Sequence, residues 1–268
     1  MVGLKKVTSS LKRGEATFLL KEGVSIKELT LKDYLLENDI VVAEEYFRGY
    51  RGATEEDIFC QFIVIQSVHK VLAGYYCSGL TRINSSIGKR LESIKVMQKR
   101  LNKDIALRGD IKDTNCMDLF ILENGEKLLN RVDKAIEDLK EIDYLGIIKR
   151  SMKKNEICLG RVDEGNLRVV EAIEVGSLKG AAYNLVEEDI YNYLKRIKRR
   201  DKNGDLDKYI DEYIRLSHLN KHSKDYISIL LSIPYDSLKQ WYRYKYNKKN
   251  LLPEEYLKNI KASMEYEI

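Results

Sequence analysis

ICLGRVDEGN, residues 157–166, is the stretch that decides how this chain is read. Gly160 is followed by Arg161, and Asn166 comes five positions after the arginine. With an aspartate at 161 this would be a phosphotransferase catalytic loop. There the aspartate handles the acceptor proton, and the asparagine five residues on holds magnesium. A guanidinium stays protonated at neutral pH and accepts no proton. The glycine and the asparagine match the spacing of such a loop, and an arginine stands at the position of its base.

Working outward, residues 157–178 alternate β-branched pieces with Gly160, Gly165 and Gly176, and Gly180 follows. This pattern predicts a small hairpin or a pair of short strands. Helical periodicity flanks it on both sides. Thr54-x-x-Asp57 is a capping-box signal opening a mostly buried helix through His69. Leu91, Ile94, Met97, Leu101 and Ile105 recur at helical spacing among basic residues. From Cys116 to Met152 one long helix is expected, with Leu128, Leu129, Val132, Ile136 and Leu139 on its inner face. Beyond the inset, helices are expected over 184–200, 205–220, 223–249 and from Pro253 onward, where proline suits a first turn.

Before Thr54 the pattern has room for two or three strands, one of them at Ile40–Val42, and for one helix capped by Ser25. A nucleotide-binding lobe of about five strands would not fit there. The chain divides into residues 1–53, a reduced N-terminal lobe, and 54–268, a helical lobe carrying the altered loop at 157–178. The fold class expected is α+β, predominantly helical, with a protein-kinase-like arrangement.

Composition is consistent with this reading. Two prolines in 268 residues leave helices nearly unbroken. The formal charge of +5 comes from 47 basic and 42 acidic residues with the signs interspersed, which argues against a nucleic-acid partner. Cys60, Cys77, Cys116 and Cys158 have no metal-ligand spacing and read as reduced core thiols. No stretch reaches the ~18 apolar residues of a membrane span, and no signal-peptide core is visible, so a cytoplasmic site of synthesis is expected.

Several short patches, taken in order, resemble the spore coat CotS family, whose members look like aminoglycoside or choline phosphotransferases. They are VHK around His69, SSIGKR with Gly88 and Lys89, CMDLFIL at 116–122, and EEDIYNYLKRI with Asp189. The C-terminal part is similar to the family's ending through Pro234, Tyr244, Tyr246, Asn247, Pro253 and Tyr256. The resemblance covers roughly residues 55–268. It implies a kinase-like fold, a loop reading His-Gly-Asp-x-x-x-x-Asn, and a spore coat destination.

The departures lie in the chemistry. Leu159 and Arg161 stand where the family has histidine and aspartate, while Gly160 and Asn166 match. Near the family's second metal aspartate only Glu171 or Glu174 is available, and a glutamate reaches further and misplaces the ion. Lys21, at the end of an N-terminal strand, is the candidate phosphate-binding lysine, with Glu28 or Glu37 as its ion-pair partner. The expectation is a catalytically inactive pseudokinase acting as a structural or docking component of the spore coat. Its partners would be proteins, other coat proteins among them, with no cofactor, no resident metal, no nucleic acid and no membrane. The alternative is an active small-molecule phosphotransferase that uses a displaced carboxylate, Asp163 or Glu164.

Four other signals have plainer readings. Asp201, Asn203, Asp205, Asp207 and Glu212 have calcium-loop spacing, but Leu206 occupies the glycine position, so an acidic turn opening a helix is expected. KRIKRRDK at 195–202 reads as a solvated helix end. His218 and His222 are spaced i, i+4 without a third ligand and read as helix-surface residues. WYRYKYNKK at 241–249 interleaves aromatic and basic side chains as some single-strand binders do. With eighteen tyrosines against five phenylalanines, a tyrosine-rich docking surface is expected.

Overall fold

Thr54 and Asp57 do what their spacing promises. The threonine side chain accepts the Asp57 N–H while the aspartate returns a bond to the Thr54 backbone, and together they open helix α2, Glu55–Leu72. In this computed structural model the described residues are 29–48, 54–76, 82–108, 114–202 and 204–267. Before α2 come α1, Leu31–Glu37, capped by Thr30, and strand β1, Ile40–Val42. The expected cap at Ser25 lies outside the described residues.

After α2 the chain forms β2, Asn84–Ser85, and α3, Lys89–Arg108. The long helix expected from Cys116 is two helices, α4, Cys116–Glu141, and α5, Tyr144–Lys154. The break has a local cause. Ile142 is extended, and the Asp143 carboxylate accepts the Gly146 N–H at 2.8 Å, so a new N-cap wins over continuation. The inset follows as β3, Ile157–Cys158, β4, Leu167–Val169, β5, Ile173–Val175, and β6, Ala182–Tyr183.

Helices α6, Val186–Arg200, α7, Leu206–Leu216, α8, Lys221–Ser232, α9, Tyr235–Lys245, and α10, Pro253–Glu267, complete the chain. Between α8 and α9 the single run expected over 223–249 is cut at Pro234, which holds Ile233 in extended backbone. Among the described residues two three-stranded sheets, ordered β1-β5-β4 and β2-β6-β3, are set among the helices. Strand β1 runs parallel to β5 with Ile40 opposite Ile173, so the stretch before Thr54 is tied directly to the inset.

One apolar cluster joins Phe62 and Ile65 of α2, Leu101 of α3, Val132 of α4, Ile190 and Leu194 of α6, Ile227 of α8 and Trp241 of α9. Many tyrosines belong to it. Tyr75, Tyr191, Tyr193, Tyr209, Tyr213, Tyr226 and Tyr256 are buried, whereas Tyr46, Tyr76 and Tyr246 are the exposed ones among the described residues. The expected tyrosine-rich surface is thus mostly a tyrosine-rich interior, because the rings fill core volume while the hydroxyls of Tyr75, Tyr193, Tyr213, Tyr226 and Tyr256 find partners. Cys60 likewise departs from expectation: it is exposed, while Cys158 is buried. Among the described residues no helix is long and apolar enough to cross a membrane.

Candidate functional site

Strand β3 delivers the chain into the loop, and Gly160 turns it with φ of +74°. A Cβ on Gly160 would lie 3.1 Å from the Gly180 carbonyl oxygen, and one on Gly180 would lie 2.5 Å from that of Leu159. Only glycine lets the two backbones come this close. Asp189 of α6 then fixes the loop. Its carboxylate accepts the N–H groups of Leu159 and Gly160, each at 2.8 Å, and faces Nε2 of His69 at 2.9 Å. With Nε2–H donating to Asp189, Nδ1 of His69 accepts from the Tyr213 hydroxyl at 3.3 Å. His69 and Asp189, drawn from two separate patches of the sequence, thus meet in the core beneath residue 160.

Arg161 turns its planar fork onto Asp163, with Nε and Nη2 at 2.9 and 3.0 Å from the two carboxylate oxygens. Arg196 of α6 adds Nη1 at 2.7 Å, and the Gly165 N–H donates to the same carboxylate at 2.9 Å. Asp163 is 3% exposed. Burial pushes its pKa up, but the Arg161 hydrogen bond, the nearby Arg196 charge and the Gly165 amide outweigh it and hold the carboxyl below the usual range. Such a carboxylate is a poor proton acceptor.

Asn166 is wholly buried. Its Nδ2 donates to the Arg161 carbonyl at 2.7 Å and to that of Ser177 at 3.3 Å, and its Oδ1 accepts the Ser177 N–H at 2.8 Å. The amide therefore ties the loop to the strand end after β5. Glu174 lies elsewhere. It sits opposite Arg168 across β4 and β5, with an Arg168 nitrogen at 2.7 Å from its carboxylate. Glu171 is exposed in the hairpin turn. The residue facing Asn166 is Ser177, which sequence spacing did not single out.

The front of the loop is covered by the segment that follows β1. Ala43 N–H donates to the Val175 carbonyl and Phe47 N–H to that of Gly165, both at 2.9 Å. A Cβ at Gly176 would meet the Glu45 carbonyl oxygen at 2.6 Å, so a glycine is required for this approach. The Arg161 guanidinium lies 4.6 Å from the Tyr46 ring centre, and that of Arg168 lies 3.8 Å from the Phe47 ring centre. Both cations are capped by aromatic faces.

Glu164 is different from its neighbour. One carboxylate oxygen accepts the Tyr193 hydroxyl at 3.3 Å; the other is buried without a hydrogen bond, with Arg200 Nη1 at 3.9 Å. Lys21 and Glu28 lie outside the described residues, and Glu37 is exposed in the last turn of α1.

The basic run 195–202 is not a solvated helix end. Lys195 and Arg199 pair with Asp236 of α9, and Arg196 and Arg200 reach the loop carboxylates Asp163 and Glu164. A signal for this was present in the sequence. Asp189 and Arg196 are seven residues apart, two helical turns, so an Asp189 facing the loop brings Arg196 to it as well. For Tyr46, Phe47 and Ser177 no local signal existed, because they arrive through pairing across the sheet.

The calcium-like spacing resolves into helix capping and ion pairs. Asp205 caps α7 by accepting the Lys208 N–H at 3.0 Å, and Glu212 pairs with Arg215. Asn203 lies outside the described residues. His218 occupies a left-handed turn after α7 while His222 is in α8, accepting the Asp143 N–H at 3.3 Å, so the two do not share a helix face. His69, Cys158 and Asp189 present donor atoms within 4.8 Å of one another. Those atoms are already engaged. Asp189 accepts three N–H bonds, and the Cys158 thiol, 2.9 Å from the Leu185 carbonyl, is pushed up in pKa by burial and surrounding carboxylates, against the thiolate a metal requires.

A strand, a tight glycine turn, a loop closed by an asparagine, a hairpin, and a following helix whose aspartate grips the loop belong to a mostly helical α+β structure, with two small sheets among the described residues, consistent with a kinase-like fold. The chain is similar in structure to an aminoglycoside phosphotransferase from Alicyclobacillus acidocaldarius subsp. acidocaldarius DSM 446, with a TM-score of 0.64 at 11% sequence identity. The superposition covers 83% of this chain and 66% of that one, just under two thirds of its length. No protein-family signature matches the chain. No curated protein sequence matches it.

Proposed function

We propose that this chain is a kinase-fold protein without phosphotransfer activity, whose work is to dock onto other proteins. The observation that carries the reading is the state of Asp163. The carboxylate nearest the lost base is buried and clamped by Arg161 and Arg196, which disfavours proton uptake. Two further features support it. Asn166 spends its amide on Arg161 and Ser177, and residues 43–47 lie across the loop's open face. The resemblance of residues 55–268 to the spore coat CotS family is what supports the coat as its setting and other coat proteins as its partners, rather than nucleic acid or membrane.

One observation favours a second reading, an active small-molecule phosphotransferase of the kind named for the structural neighbour. Glu164 carries a buried carboxylate oxygen with no hydrogen bond, the condition of a base waiting for a substrate hydroxyl. Release of ADP from magnesium-ATP, measured with choline and with kanamycin as acceptors, separates the two. The first reading expects no release above that of the Glu164→Gln, Asp163→Asn double variant. Turnover by the native chain that the double variant abolishes establishes the second.

A further inference from the structure

The motif WYRYKYNKK has no part in the loop, and the structure gives it a place. Tyr242 and Tyr246 lie one helical turn apart with ring centres 4.7 Å from each other, while Tyr244 turns inward to Asn115 and Asp118. On the outward side, α9 and α3 line a cavity of about 320 Å³, whose walls include Tyr235, Tyr242 and Ser93. Three cations, Lys239, Arg243 and Lys248, line it, and no carboxylate does.

The cations are held there by the fold. Lys239 and Arg243 are spaced i, i+4 on one face of α9, and the Lys248 N–H donates to the Arg243 carbonyl at 3.0 Å. Lys248 Nζ lies 4.8 Å from the Tyr242 ring centre, and Lys239 Nζ 5.8 Å from that of Tyr235. Arg243 makes one long bond to the Gln240 side chain at 3.5 Å. Among the described residues none of the three has an ion-pair partner within 4.0 Å. The nearest acid on the helix, Asp236, is occupied by Lys195, Arg199 and the Tyr266 hydroxyl. Burial and then the charge of Arg243 lower the pKa of Lys239, with the charge of Asp236 opposing them.

We infer that this cavity binds a phosphomonoester carried on a planar ring. Three cations and Ser93 around one cavity match a dianion, Arg243 offers the fork geometry that phosphate oxygens accept, and the rings of Tyr235 and Tyr242 in its walls suit an aromatic group attached to it. The size falls in the range of small-molecule sites, roughly 300–1,000 Å³. None of the lining residues belongs to residues 157–178 or to 40–48, so the inference stands apart from the reading of the altered loop.

The test is calorimetric titration of the native chain at low salt with phenyl phosphate, inorganic phosphate, AMP and a phosphotyrosyl dipeptide, without magnesium. Phenyl phosphate should bind at one site, about tenfold more tightly than inorganic phosphate because of the ring. Lys239→Gln and Arg243→Gln should each weaken it by about tenfold, whereas Lys103→Gln, on α3 outside the cavity, should leave it unchanged. The order of AMP and the dipeptide tells a nucleotide from a phosphorylated side chain as the source. Failure of phenyl phosphate to bind at millimolar concentration overturns the inference, and so does an equal loss in Lys103→Gln, which would mean attraction to net charge alone.

Discussion

Asp189→Ala should be the most damaging single change near the loop. The side chain is wholly buried and accepts three bonds, from the Leu159 and Gly160 amides and from His69. Hydrogen bonds to a charged group contribute about 1.5–3 kcal/mol each, but they share one carboxylate and do not add. Truncation also strands two amides and an imidazole N–H in the core, and each buried donor left unsatisfied costs about 1–3 kcal/mol. A loss of about 4 kcal/mol is therefore expected, a large share of the ~5–15 kcal/mol that separates folded from unfolded domains. In urea, with a slope of about 1–3 kcal/mol per molar, the midpoint should fall by more than 1 M. Asp189→Asn should lose somewhat less, because its one oxygen still accepts one of the two amides while its NH₂ is left facing the other N–H. A midpoint shift below about 0.3 M for the alanine variant would refute the view that this carboxylate holds the loop.

Two further outcomes follow from the same geometry. Asp236 sits among Lys195, Arg199 and the Tyr266 hydroxyl; burial alone would raise its pKa, but these partners bring it from 3.8 down to about 2. A carboxylate depressed on folding contributes stability that is complete above its unfolded value and lost as pH falls toward the folded one. Unfolding free energy should thus drop between about pH 4 and pH 2, and Asp236→Asn should flatten that slope in acid titrations followed by circular dichroism; an unchanged slope would count against the pairing. Gly176→Ala places a Cβ against the Glu45 carbonyl oxygen and Asn166 Oδ1. It should cost about 1–3 kcal/mol through overpacking and release the segment over the loop, seen as faster hydrogen exchange at the Phe47 amide; protection equal to the native chain's would show that the segment does not depend on this contact.

Much of the helical part was legible because its determinants are local. Thr54 and Asp57 sit three residues apart, and the apolar spacing of α3 and α4 repeats with the helical period. The breaks at Asp143 and Pro234 turn on a single cap and on the extended backbone that a proline imposes on the residue before it, small terms that a long periodic pattern conceals, although a turn at Pro234 is part of the family resemblance. The loop itself was legible in part. Gly160, Arg161 and Asn166 stand together as their spacing suggested, but Glu174 faces Arg168 across the hairpin, and Ser177 takes the position beside Asn166. A shift of an odd number of residues along a strand reverses the face, and sequence spacing alone does not fix where the strand ends.

Residue identity by itself determined that position 161 carries a permanent positive charge where a proton acceptor would be needed, and that glycines recur through the inset. Only the folded chain decided what that charge does. Arg161 and Arg196 converge on Asp163 because α6, anchored through Asp189, is laid against the loop, and residues 43–47 cover the front because β1 pairs with a strand more than a hundred residues away. Charge is a property each side chain brings with it. Which carboxylate it neutralises, and which face it closes, depends on contacts between distant segments that no local pattern encodes.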